Sequence, residues 1–86
     1  MLYIASEHGG FKLKKRLIRY LENELNKPVT DMGPTDFVET DDYPDYAIPL
    51  AKKVAENKDS LGILICGSGN GMCLSANKVK NIRAIV

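Results

Sequence analysis

Apolar positions along this chain follow two rhythms. Short apolar runs at residues 2–5, 29–32, 61–66 and 82–86 are bounded by glycine, proline or polar residues, and each reads as a strand. Between the first two runs, Leu13, Leu17, Tyr20, Leu21 and Leu25 recur at three- and four-residue steps, which marks one apolar helix face. Lys27 and Pro28 stop that helix near Asn26, because a residue before proline is driven out of the helical region. The second run is weak and is closed by Gly33 and Pro34; a polar, acidic loop then covers residues 35–42. Ala47, Leu50, Ala51 and Val54 restore the helical spacing. Pro49 fits only a first turn, so this helix is expected to start close to Asp45. After the third run, residues 72–78 continue as a helix.

Strand and helix therefore alternate through the whole chain. The expectation is an α/β fold of three layers, a parallel sheet of about four strands with helices on both faces. No linker, repeat or low-complexity segment breaks residues 1–86, which form one domain. In such sheets ligands bind beyond the carboxyl ends of the strands, where the strand order switches.

Two segments belong at that place. Glu7, His8, Gly9 and Gly10 follow the first strand; Cys66, Gly67, Ser68, Gly69, Asn70 and Gly71 follow the third. Glycine at every second position lets the backbone turn sharply and bring its N–H groups close to an oxyanion. The helix that follows favours negative charge at its start. If the two strands are neighbours, an acid, an imidazole, a thiol and an anion cradle share one crevice.

Each of these residues also has a plainer reading. Cys66 is either a small apolar residue at a strand end or, with the glycine loop beside it, a reactive thiolate; Cys73, one turn into the helix, reads as core. The glycines are either a tight turn or an anion site, and their spacing does not meet the dinucleotide fingerprint. His8 is a backbone-bonded loop residue or a ligand contact, and Glu7 a helix-start charge or a substrate contact. Tyr43 reads first as a packing aromatic, Asp42 and Asp45 as helix caps, and Asn77 with Lys78 as a helix stop.

Composition narrows the field. Hydrophobic residues at 44% and charged residues at 27% describe a globular chain. A net charge of +1 leaves no footprint for nucleic acid. Lys12, Lys14, Lys15, Arg16 and Arg19 cluster, but leucines and an isoleucine interleave them, so they read as the solvated face of a helix. No apolar stretch suits a membrane span. The two cysteines do not resemble a disulfide framework, and the single histidine, His8, lies far from both, which argues against a metal site. Reduced thiols point to the cytoplasm.

Residues 4–10, 42–47, 62–72 and 76–78, taken in order, resemble the ribose-5-phosphate isomerase B family, which includes the subunits of galactose-6-phosphate isomerase. The resemblance implies a flavodoxin-like, Rossmann-like fold and a cofactor- and metal-free aldose–ketose isomerisation of a phosphorylated sugar. Ribose 5-phosphate to ribulose 5-phosphate, in the pentose phosphate pathway, is the expected reaction. It also implies a homodimer or higher homo-oligomer with the site between two subunits. Cys66 would be the catalytic base that moves a proton between carbons 1 and 2. Gly67, Ser68, Gly69, Asn70 and Gly71 would hold the enediolate, Glu7 and His8 would contact the sugar phosphate, and Tyr43 would lie near the pocket. Glu7 stands where the family usually has aspartate, and Ser68 where threonine is common. The family pattern continues beyond residue 86, into a ring-opening histidine and phosphate-binding arginines. The 86-residue chain is therefore expected to turn over poorly by itself. The competing readings are a truncated, non-catalytic domain that binds a phosphate or a partner, and a subunit of a galactose-6-phosphate isomerase.

Overall fold

The structure is a computed structural model and describes residues 1–37, 39 and 42–86. Part of the acidic loop at 35–42 therefore lies outside the described residues. Strand β1 (Leu2–Ser6) is central in a parallel sheet, with β2 (Thr30–Asp31) on one side and β3 (Leu61–Ile65) on the other. The chain leaves β1 for one edge and returns to the opposite edge, so the switch falls between β1 and β3. These two strands pair in register from Leu2 with Leu61 to Ser6 with Ile65. Their carboxyl ends are therefore level.

Helices cover both faces. On one, Tyr3 and Ala5 of β1 form the core with Leu50 of α2 (Pro44–Ala55), joined by Leu64 of β3; α3 (Asn70–Ala76) packs beside α2. On the other face, α1 (Phe11–Asn23) lies over β1 and β3. Alternate side chains of a strand point to opposite faces, and Ile65 accordingly meets Gly10 at the start of α1. The flavodoxin-like architecture is as the sequence implied.

Several local expectations are corrected. Among the described residues the sheet has three strands, and residues 82–86 are not a fourth. The carboxamide of Asn77 accepts the Ala84 N–H at 2.8 Å and donates to the Ala84 carbonyl at 3.1 Å. It thereby takes the groups a ladder would use. The segment lies along α3, across an open groove of about 820 Å³ from β3.

The apolar face of α1 is turned relative to the sequence reading. Leu13, Tyr20 and Leu25 are 54%, 51% and 46% exposed, whereas Lys14, assigned to the solvated face, is 0% exposed. The inward positions are Phe11, Lys14, Leu17, Ile18 and Leu21, a helical face with a cation in its middle. Regular helix ends at Asn23, and Asn26 at φ 53° makes the left-handed stop expected beyond a helix end. Pro49 lies in the second turn of α2 because Pro44 holds the first helical position. Cys73 is half-buried rather than core, its thiol directed at the Ala84 carbonyl.

Candidate functional site

The level ends of β1 and β3 bring their following loops together. The Glu7 N–H donates to the Ile65 carbonyl at 3.2 Å, so the strand pairing extends one residue into the first loop. Residues His8–Gly10 then form a single 3-10 turn. Gly10 sits so close to β3 that a Cβ would lie 2.7 Å from both Cβ and the carbonyl oxygen of Ile65. A Cβ on Gly9 would lie 3.3 Å from the Gly67 nitrogen. Two segments separated by almost sixty residues thus form one wall.

Glu7 is 8% exposed and does two things with its carboxylate. Oε1 accepts the Gly9 N–H at 2.6 Å, capping the turn, and Oε2 lies 3.2 Å from Nδ1 of His8. Both carboxylate oxygens are thus engaged by the residues that follow. The His8 ring also meets Phe37 edge-on, with centroids 6.4 Å apart, and Phe37 packs on Phe11 at 5.7 Å. Phe37 is a neighbour of His8 that nothing in the sequence singled out. Only a tertiary contact reveals it, since it stands alone in a polar loop.

Cys66 is the first residue beyond β3 and is half-buried. Its Sγ accepts the Gly69 N–H at 3.1 Å. Gly69 itself takes φ 86°, a left-handed conformation that suits glycine and starts α3. The Ser68 hydroxyl accepts the Asn70 N–H at 3.3 Å. Two of the five N–H groups at residues 67–71 are thus directed to side chains of the loop itself. Gly67 faces open space, with no heavy atom within 4 Å of the point a Cβ would occupy. Tyr43, just before α2, lays its ring on Gly71, where a Cβ would be 2.8 Å from the ring. It is 38% exposed, so it packs the loop while keeping part of its surface in solvent. The structure thus sets the loop at 7–10 against Gly67 at one end of the glycine loop and Tyr43 against Gly71 at the other. Among the described residues no group of three or more His, Cys, Asp or Glu side chains is placed to hold a metal ion. Nor is any helix there long and apolar enough to cross a membrane.

Comparison with known proteins places the chain. The model of the ribose/galactose isomerase family matches residues 2–86. The probable ribose-5-phosphate isomerase B of Mycoplasma pneumoniae is 52% identical over 83 residues, covering 96% of this chain and 54% of the relative. A putative sugar phosphate isomerase of Bacillus subtilis is 50% identical over 80 residues, covering 93% of this chain and 53% of the relative. Among solved structures, ribose-5-phosphate isomerase B from Mycoplasma genitalium with bound ribulose-5-phosphate superposes with a TM-score of 0.88. It is 49% identical, and the match covers 94% of this chain and 53% of that one. The chain spans about half the length of the relatives it matches. With the family model matching from the first strand to the last residue, this chain belongs to the ribose/galactose isomerase family.

Proposed function

We propose that the crevice binds a phosphorylated sugar and carries out aldose–ketose isomerisation, with ribose 5-phosphate and ribulose 5-phosphate as the preferred pair. In this reading the enzyme works in the pentose phosphate pathway of the cytoplasm, as a homo-oligomer. Cys66 as thiolate takes the proton from carbon 2 of the open-chain aldose. The C–H electron pair forms the double bond to carbon 1, and the carbonyl oxygen becomes the enediolate oxyanion. A proton passes from the oxygen on carbon 2 to the oxygen on carbon 1. The thiol then returns its proton to carbon 1, leaving a ketone at carbon 2 and the thiolate restored. Atoms and electrons balance without a cofactor.

The chain's own groups suit these steps. The Gly69 N–H held on Sγ steadies negative charge on the sulfur between proton transfers. The open face at Gly67 and the hydroxyl of Ser68 offer the oxyanion its approach. A lost donor of this kind costs about 3–4 kcal/mol of transition-state stabilisation, and a positioned base supplies roughly a hundred- to ten-thousandfold in rate. Glu7 and His8, joined at 3.2 Å, would hold sugar hydroxyls or phosphate beside the glycine loop.

The observation that carries this reading is the meeting of the two loops at the level ends of β1 and β3. Amide chemical-shift mapping with ribulose 5-phosphate tests it. The expected result is a set of saturable shifts confined to residues 7–10 and 66–71 with Tyr43. Shifts clustered along the groove beside β3, or none at millimolar ligand, would overturn it.

A further inference from the structure

Lys14 is the largest side chain sealed wholly from solvent, although Lys12, Lys15, Arg16 and Arg19 on the same helix are exposed. A buried ammonium persists only with partners, and this one has them. Its Nζ donates to Oδ1 of Asp31 at 2.8 Å and to the buried carbonyl of Pro34, with the Phe11 ring 5.5 Å away. The same Asp31 oxygen accepts the Gly33 N–H at 2.9 Å. The turn at 31–34 is in turn tied to β1: Met32 donates to the Ile4 carbonyl at 2.7 Å, and Ser6 donates to that of Gly33 at 3.1 Å. One cation therefore joins α1, the exit of β2 and the carboxyl end of β1.

An ion pair whose ammonium is buried and whose Asp31 carboxylate reaches solvent contributes little net stability compared with an apolar side chain of equal volume, so stability alone does not explain it. Its place does. Three residues beyond Pro34, the Phe37 ring stands edge-on to His8 and against Phe11, the first residue of the helix that carries Lys14. We propose that Lys14 is a positioning residue for the crevice: its buried ammonium fixes the 31–34 turn and thereby holds Phe37 against His8. Lys14 does not touch the substrate. The proposal rests on reading the crevice as a sugar-phosphate site.

His8 is the single histidine of the chain, so its ring resonances are unambiguous. They are read in the ligand-free chain, which separates this test from any test of activity. Lys14→Met is expected to displace them in the direction that Phe37→Ala does, with the circular dichroism retained. It is also expected to weaken ribulose 5-phosphate binding by up to roughly tenfold, the loss of about one hydrogen bond's worth of affinity. Unmoved His8 resonances overturn the proposal, as do moved resonances with unchanged affinity. If Lys14→Met does not fold, Asp31→Asn carries the test. It keeps an acceptor for Gly33 but removes the charge, and a smaller displacement of His8 in the same direction is expected; none would overturn the proposal. If His8 moves as expected but the wild type itself binds no ribulose 5-phosphate, the reading of the site fails rather than the link from Lys14 to His8.

Discussion

At the scale of single residues, two glycines separate architecture from chemistry. Gly10 is pressed on the backbone and side chain of Ile65, whereas Gly67 opens onto empty space. Gly10→Ala is expected to destabilise the fold by about 1–3 kcal/mol, the ordinary cost of overpacking. Gly67→Ala should leave stability within about 0.5 kcal/mol yet weaken ribulose 5-phosphate binding. Chemical denaturation and ligand titration of both variants check this; a destabilised Gly67→Ala chain would show that the loop is packed, not open. The meeting of the two loops was legible in the sequence because both are glycine-bearing segments at strand ends. Phe37 and Lys14 were not legible. Phe37 has no pattern around it, and Lys14 lies inside a run of cations whose plain reading is a solvated face. Its burial is decided by Asp31 and Pro34, which are distant in sequence.

At the scale of elements, the alternation of periods specified three strands and three helices, and β1 pairs with β3 in level register where the strand order switches. The last segment departs from its own pattern. Residues 82–86 alternate and branch like a strand, but strand propensity is a statement about packing and pairing, not an intrinsic preference. Here Asn77 provides the pairing instead. Asn77→Ala should release the segment at a local cost of about 1–2 kcal/mol for two hydrogen bonds. Hydrogen exchange at the Ala84 amide would quicken while β3 stays protected. The same release bears on the thiols. In the parent chain iodoacetamide is expected to label Cys66 ahead of Cys73, whose sulfur sits under Ala84; in Asn77→Ala the labelling of Cys73 should rise. Preferential labelling of Cys73 in the parent chain would contradict the placement of the reactive thiol.

At the scale of the whole molecule, large apolar side chains stay exposed on β3, α3 and the last segment. Leu61 at the start of β3, Leu74 on α3, and Ile85 with Val86 are 71%, 68%, 89% and 79% exposed. The outer edge of β3 pairs with no strand among the described residues, and an uncovered edge with apolar neighbours invites pairing. Light scattering of the 86-residue chain at micromolar concentration should therefore report association, reduced by Leu61→Lys together with Ile85→Lys. A clean monomer that keeps its circular dichroism would contradict this. The central claim, that Cys66 moves a proton on a sugar phosphate, is tested most directly by isotope exchange from ribulose 5-phosphate in deuterium oxide. That ketose cannot close a furanose ring, because its terminal hydroxyl carries the phosphate, so exchange needs no ring-opening group. The chain is expected to exchange one hydrogen on carbon 1 above the uncatalysed rate, and Cys66→Ala to lower this by roughly a hundredfold or more. Binding without exchange, or exchange undiminished by Cys66→Ala, would contradict it.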